Sequence, residues 1–199
     1  MSYAIVGFGK IGQALAHAFA RKNIDVTVAS RRPPEALAPQ ALAIGPTVLA
    51  KSLREALEAD TIILAVPFAE HRAIAKALPS WIGKTVIDAT NALVPLEELD
   101  GLLSSAFVAK AFTGARLVKG FNHLIAAKLA ADPIVEGGHR VVFLSGDDED
   151  ATASVAALAK QLGFAPVKLG KLNEGGALVH ARGRTWGPLI FQDLFKNEQ

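Results

Sequence analysis

The chain contains no cysteine among its 199 residues. This absence excludes disulfide bonds, thiolate catalysis and cysteine-ligated metal sites. Neither sign of charge dominates, since 21 basic and 19 acidic residues leave a net charge of only +2. This balance does not favour a nucleic-acid-binding surface. No apolar run is long enough to span a bilayer, and Lys10 beside the first glycines interrupts any signal-peptide pattern. We therefore predict a cytoplasmic protein that has neither nucleic acid nor membrane as a partner.

A glycine-rich turn follows the first apolar segment of the chain. It consists of Gly7, Phe8, Gly9, Lys10, Ile11 and Gly12. Apolar residues at helical spacing come after it, and a second strand is expected over 25–29, so the unit has the length of a βαβ module. Such a turn brings a pyrophosphate to a helix N-terminus, where free N–H groups and the helix dipole favour negative charge. The turn predicts a dinucleotide site formed by these six residues.

The end of the second strand indicates which dinucleotide is bound. An NAD site usually has Asp or Glu there to accept hydrogen bonds from the ribose hydroxyls. Here the strand is followed by Ser30, Arg31 and Arg32, and guanidinium groups match phosphate oxygens with paired hydrogen bonds. These three residues predict NADP(H). The alternative is that both arginines are solvated loop charges.

Strands and helices alternate along most of the chain. Further strands are predicted over 47–49, 61–66, 85–87, 116–119, 141–144 and 166–168, and helices over 52–59, 71–78 and 150–162. The alternation predicts an α/β fold with a doubly wound Rossmann-type parallel sheet and helices on both faces. This domain covers 1–170. Residues 171–199 form a short C-terminal extension, with an apolar-aromatic stretch over 186–195, that packs on the domain or on a partner subunit.

Ligands of open α/β sheets lie beyond the carboxyl ends of the strands. The candidate cofactor-binding residues at those ends are Ala65, Val66, Pro67, Asp88, Thr90, Asn91 and Asn122. The apolar ones suit the nicotinamide ring and ribose, and Asn122 suits a carboxamide or a flavin edge. For Asp88, a cap of the loop or helix is an equal alternative. The acidic run over 147–150 could hold a cation, but its position favours a cap of the following helix.

No acid–base or metal-ligating constellation is evident, so we predict no catalytic residue and no metal. Transfer between a dihydronicotinamide and a flavin-type ring needs only stacked rings and exclusion of water.

Five segments together resemble the NADPH-dependent coenzyme F420 reductases and the cytoplasmic oxidoreductase domains of six-transmembrane epithelial metalloreductases. They are the glycine turn, Ser30-Arg31, the run over 88–91, Lys119-Gly120-Phe121-Asn122 and the run over 163–170. The resemblance implies NADPH bound along the strand ends and hydride passed to FMN, FAD or coenzyme F420. By position, it implies that Ser30 and Arg31 take the 2′-phosphate, and that Val66, Thr90 and Asn122 line the nicotinamide end.

The chain departs from the family pattern after Gly170, where it lacks an expected arginine and doubles a glycine at 175–176. Two other functions stay open: an NADP-dependent dehydrogenase of a small carbonyl or hydroxy compound, and a non-catalytic NADPH-binding regulator. We also predict a homodimer, because a single domain leaves one side of the nicotinamide cleft open.

Overall fold

A computed structural model describes residues 1–94 and 96–181, in which ten strands and seven α-helices are formed. The strands are β1 (Tyr3–Val6), β2 (Val26–Ala29), β3 (Val48–Ala50), β4 (Thr61–Leu64), β5 (Thr85–Asp88), β6 (Arg116–Lys119), β7 (Ile134–Val135), β8 (Gly138–His139), β9 (Val141–Gly146) and β10 (Ala165–Lys168). The helices are α1 (Lys10–Arg21), α2 (Pro34–Ile44), α3 (Leu53–Ala56), α4 (His71–Ala75), α5 (Ser104–Ala111), α6 (Ala126–Ala130) and α7 (Glu149–Gln161). Short 3₁₀ turns occupy Phe68–Glu70, Leu96–Leu99 and Gly175–Ala177.

Eight strands form one sheet in the order β10-β9-β6-β5-β4-β1-β2-β3. Six strands that are adjacent in this order, β6-β5-β4-β1-β2-β3, are parallel to one another. The direction in which the chain adds strands reverses between β1 and β4. This arrangement confirms the predicted doubly wound α/β fold. Most element ends lie within about two residues of prediction, but α3 and α4 end three residues early, at Ala56 and Ala75.

The sheet departs from the predicted parallel arrangement at one edge. β9 runs antiparallel to β6, with Lys119 opposite Ser145, and β10 is parallel to β9. The segment between Lys119 and Val141 holds the five-residue α6 and the unpredicted hairpin of β7 and β8. It brings the chain back so that the last residues of β9 pair with the last residues of β6.

The core lies on both faces of the sheet because successive side chains of each buried strand point to opposite faces. Ile63 of β4 and Ile87 of β5 pack in the cluster that contains α1, α2 and α7. Their neighbours Ile62 and Val86 pack in a second cluster with residues of α4 and α5. Two buried faces on one strand explain why neighbouring positions in the middle of β4 and β5 are both apolar.

The described part of the C-terminal extension packs on the domain. Leu172 is buried, and its N–H donates to Asp147 Oδ1 at 3.0 Å. Val179 is also buried, at the carboxyl ends of β5 and β6. The predicted apolar-aromatic stretch over 186–195 lies outside the described residues.

Candidate active site

The glycine turn joins β1 to α1 and depends on two positions that exclude a side chain. Gly7 has a φ of +102°, and a Cβ added there would lie 2.3 Å from the carbonyl oxygen of Ala65. A Cβ at Gly12 would lie 1.9 Å from the carbonyl oxygen of Gly7. Any larger residue at either position would push β1, α1 and the β4 loop apart.

Gly9 is different, because a Cβ added there would meet nothing within 4 Å. Gly9 is the N-cap of α1, no side chain caps this helix end, and no acidic residue occupies the first turn. The N–H groups of the first turn are thus available, at the positive end of a 12-residue helix. Such an end favours an anionic group. Open space at Gly9 is what the approach of a pyrophosphate requires.

A cleft of about 430 Å³ opens beside this helix end. Nine of the sixteen predicted residues line it: Gly7, Phe8, Gly9, Ser30, Arg31, Arg32, Ala65, Val66 and Pro67. Four further residues that the sequence did not indicate also line it: Val6, Leu53, Glu70 and Ile74. The cleft therefore joins the glycine turn to the ends of β2 and β4, with apolar walls and charged groups at its mouth.

The charged groups at the mouth come from two separated parts of the chain. Arg31 follows β2, and its Nη1 lies 3.3 Å from Glu70 Oε1, in the 3₁₀ turn after β4. Ser30 Oγ accepts a hydrogen bond from the N–H of Arg32 at 3.0 Å, which tightens the loop after β2. Within the cleft lining, Glu70 is the single acidic residue.

Of the remaining predicted residues, Lys10, Ile11 and Gly12 lie in the first turn of α1. Asp88, Thr90, Asn91 and Asn122 lie at the carboxyl ends of β5 and β6, outside the lining of the cleft. The structure therefore divides the predicted site into two groups. The second group is organised by a buried ion pair.

Asp88 is fully buried and both of its carboxylate oxygens are engaged within the protein. Oδ1 accepts hydrogen bonds from Thr90 N at 2.9 Å and from Thr90 Oγ1 at 2.6 Å. Oδ2 accepts from Ser105 Oγ at 3.1 Å and from Lys119 Nζ at 3.1 Å. These contacts match the alternative that the sequence left open for Asp88, a cap of the strand-end loop.

Lys119 supplies the positive charge of this pair from the adjacent strand. It lies directly opposite Asp88 in the parallel register of β5 and β6, and its Nζ also donates to the carbonyl oxygen of Thr90. Burial lowers the pKa of Lys119, and the Asp88 carboxylate opposes that shift. Burial also lowers the pKa of His180, with a smaller contribution from the positive charge of Lys119.

Above the ion pair, two asparagines join the ends of β5 and β6. Asn91 Nδ2 donates to the carbonyl oxygen of Asn122 at 2.8 Å, and Asn122 Nδ2 donates to Asn91 Oδ1 at 3.0 Å. Asn122 Nδ2 also donates to the carbonyl oxygen of Val179 at 2.9 Å, which ties the extension to this point. Asn122 Oδ1 is buried and has no hydrogen-bond partner among the described residues. A buried acceptor in this state suits an N–H group of a ligand.

Phe121, just before Asn122, has a φ of +60°. A bulky residue in this left-handed region is strained by about 1–3 kcal/mol. Phe121 is fully buried, and its ring meets that of Phe164 edge to face at 6.0 Å. Packing thus holds a backbone conformation that directs Asn122 toward Asn91.

Sequence reasoning missed Glu70, Lys119 and the segment around Val179 as parts of the site. A lysine at the end of the apolar strand β6 was the available signal for Lys119, since a buried lysine requires an acidic partner. No local signal marked Glu70 or Val179, because both reach the site through tertiary packing.

His123 directly follows Asn122 in the chain. It is fully buried, and its Nε2 lies 3.2 Å from the carbonyl oxygen of Val141.

The acidic run before α7 is used inside the fold. Asp148 is the N-cap of α7 and accepts from Ala151 N at 2.7 Å. This contact confirms the predicted cap. In the described ranges, no group of three or more His, Asp or Glu side chains could hold a metal ion. Over the same ranges, no helix has the length and apolar character needed to cross a membrane.

The glycine turn lies at a helix N-terminus, at the carboxyl ends of the strands where the strand order of a doubly wound sheet reverses. This arrangement defines a dinucleotide-binding protein.

Comparisons with known proteins support the same class of protein. Residues 2–92 match the sequence model of the family described as NADP oxidoreductase, coenzyme F420-dependent. Hypothetical protein SMa0349 from Sinorhizobium meliloti is 41% identical, with a TM-score of 0.87 over 93% of this chain and 92% of that chain. A protein from Arthrobacter sp. FB24, classed as an F420-dependent NADP reductase, is 27% identical, with a TM-score of 0.73 over 86% of each chain.

The chain belongs to the same family as SMa0349, and its residues 2–92 match the NADP oxidoreductase model. It is also 29% identical over 171 residues to the metalloreductase STEAP3 of Rattus norvegicus, a match that covers 84% of this chain and 33% of the relative. The chain thus spans about a third of the length of the curated relatives it matches. Both resemblances stated from the sequence are confirmed.

The two glycine positions give a matched pair of variants. Gly12→Ala is expected to lower the free energy of unfolding by about 3 kcal/mol, because its methyl group would overlap the backbone of Gly7. Gly9→Ala is expected to lower it by about 1 kcal/mol or less, since its methyl group enters open space. Urea unfolding of both variants measures the difference.

The same pair distinguishes a binding role from a folding role. Gly9→Ala is expected to weaken dinucleotide binding by about tenfold or more in a protein that remains folded, because the methyl group stands where a pyrophosphate would approach. Unchanged affinity in Gly9→Ala, measured by titration calorimetry with NADPH, would contradict this role of the turn.

Proposed function

We propose that this protein transfers hydride between NADP(H) and a flavin or deazaflavin-type acceptor. The observation that carries the proposal is the position of Ser30, Arg31 and Arg32 in the same cleft as Gly9. A cleft with a pyrophosphate site at one point and two guanidinium groups at another suits a dinucleotide that bears a further phosphate.

The cleft fits the adenosine half of NADP(H). The backbone N–H groups at the N-terminus of α1 would hold the pyrophosphate. They belong to the glycine turn and the first helical turn, which include Phe8, Gly9, Lys10 and Ile11. Ser30, Arg31 and Arg32 would hold the 2′-phosphate, since a guanidinium fork can donate two parallel hydrogen bonds to it. The apolar side chains of Val66 and Ile74 would exclude water beside the sugar and base.

The ends of β5 and β6 suit the nicotinamide half. Ala65, Val66 and Pro67 extend the apolar wall toward them, and the unpartnered Oδ1 of Asn122 would accept from the carboxamide N–H₂ group. Thr90 and Asn91 would border the ring. Asp88 contributes as a positioning residue, because it holds Thr90 and Lys119 and does not line the cleft.

The cofactors supply the hydride chemistry, and the chain supplies binding and orientation. The Asn91–Asn122 pair links the loops that follow β5 and β6, and the buried Asp88–Lys119 pair links the last residues of the two strands. Stacked rings at near-contact distance need no acid or base from the protein.

Turnover with a panel of acceptors tests the proposal. NADPH oxidation is followed with FMN, FAD, coenzyme F420 and a small carbonyl compound, each against a control without protein. We expect oxidation that requires both the protein and one of the first three acceptors. Tight NADPH binding without turnover on any of them would favour a non-catalytic regulator, and turnover on a small carbonyl compound instead would favour a dehydrogenase.

The homodimer and the packing of the whole extension over 171–199 on the domain or a partner stay predictions. Light scattering at micromolar concentration is expected to give twice the chain mass of 20.9 kDa. A mass of one chain would contradict the dimer.

A further inference from the structure

We propose that Glu70 makes the cleft competent for NAD(H) as well as NADP(H), by accepting hydrogen bonds from the adenosine ribose hydroxyls when no 2′-phosphate is present. The inference rests on the proposed cofactor site and goes beyond it by assigning a second ligand. Its basis is the Glu70 carboxylate, which lies beside Arg31 in the cleft although the sequence directly after β2 provides no acidic residue.

The position of Glu70 is the first step. NAD-binding sites place a carboxylate at the end of the second strand, where it binds the ribose hydroxyls. In this chain that strand end holds Ser30 and Arg31. The 3₁₀ turn after β4 nevertheless brings Glu70 into the same cleft, where its Oε1 lies 3.3 Å from Arg31 Nη1.

The exposure of the pair is the second step. The side chain of Arg31 is 85% exposed and that of Glu70 is 35% exposed. An ion pair in this setting contributes little to stability, so its members can separate readily for other partners. In contrast with the buried Asp88–Lys119 pair, Arg31 and Glu70 can each give up this contact for one with a bound ligand.

The third step is the opposite chemistry of the two ligands. A 2′-phosphate is attracted by the Arg31 fork and repelled by the Glu70 carboxylate. A 2′-hydroxyl donates a charge-assisted hydrogen bond to a carboxylate, whereas a guanidinium donates to the uncharged hydroxyl oxygen and gains less from it than from a phosphate. Arg31 therefore favours NADP(H), and Glu70 favours NAD(H). When no cofactor is bound, the two side chains pair with each other.

Dissociation constants of NADPH and NADH, measured by titration calorimetry at low ionic strength, test the assignment. Glu70→Ala is expected to weaken NADH binding by roughly tenfold, which corresponds to the loss of a charge-assisted hydrogen bond. The same variant is expected to strengthen NADPH binding by roughly threefold, because a like charge near the phosphate is removed. Glu70→Gln keeps an acceptor without the charge, so we expect tighter NADPH binding and a smaller loss for NADH.

Glu58→Gln is the matched control, because Glu58 is an exposed acidic residue that precedes β4 at the opposite edge of the sheet. It is expected to leave both dissociation constants unchanged. Unchanged NADH affinity in Glu70→Ala, or equal losses for both cofactors, would overturn the role of Glu70 while NADPH binding by the unaltered protein still supports the proposed function. Failure of the unaltered protein to bind NADPH would overturn the proposed function itself.

Discussion

Asp88→Ala is expected to lower the free energy of unfolding by about 3–5 kcal/mol, because it leaves the ammonium group of Lys119 buried without a counter-charge. Both side chains of the pair are almost completely buried, at 2% and 0% exposure. The variant also removes the acceptor of Thr90 N, Thr90 Oγ1 and Ser105 Oγ. Urea unfolding at neutral pH measures the loss.

Two controls separate the buried charge from a general effect of substitution. The double variant Asp88→Asn/Lys119→Met keeps an acceptor for Thr90 and fills the space of the lysine with an uncharged side chain. It is expected to recover most of the stability. Lys51→Met breaks an exposed pair with Glu55, in which both side chains are 49% exposed, and is expected to change stability by about 0.5 kcal/mol or less. A loss in Asp88→Ala as small as that in Lys51→Met would contradict the account of the buried pair.

Arg31→Asp is expected to weaken NADPH binding by about a hundredfold and NADH binding far less. The change removes a guanidinium that would pair with the 2′-phosphate and puts a like charge in its place. Because NADH lacks that phosphate, only one of the two cofactors meets the repulsion. Titration calorimetry with both cofactors measures the two affinities under the same conditions.

Arg116→Asp is the control for net charge, since Arg116 is an exposed residue at the start of β6, away from the strand ends that form the site. It is expected to leave the ratio of the two affinities unchanged. Equal losses of NADPH and NADH affinity in Arg31→Asp would show that Arg31 does not distinguish the phosphate, and would favour the alternative of a solvated loop charge.

Much of the fold follows from local patterns. The apolar runs that became β4 and β5 are buried on both faces, and the glycine turn has one geometry compatible with Gly7 and Gly12. The direction of β9 was not predictable in the same way. It depends on the path of the segment between β6 and β9, which is long enough for a parallel crossover as well as for an antiparallel return.

The candidate site was predictable where its residues follow strand ends directly. Ser30, Arg31 and Val66 line the cleft as the order of the chain suggests. Glu70 was not predictable, because it meets Arg31 across 39 residues of sequence. The pairing of Asp88 with Lys119 depends on the register of β5 and β6, which periodicity alone does not determine.

Single-turnover reduction of the best acceptor from the panel tests the central claim most directly. The protein is mixed with NADPH and that acceptor, and acceptor reduction is followed in the unaltered chain, in Gly9→Ala and in Arg31→Asp. We predict reduction that is fast in the unaltered chain and is lost in both variants at NADPH concentrations that saturate only the unaltered chain. Equal rates in all three proteins, or no reduction by an unaltered chain that binds NADPH, would contradict it.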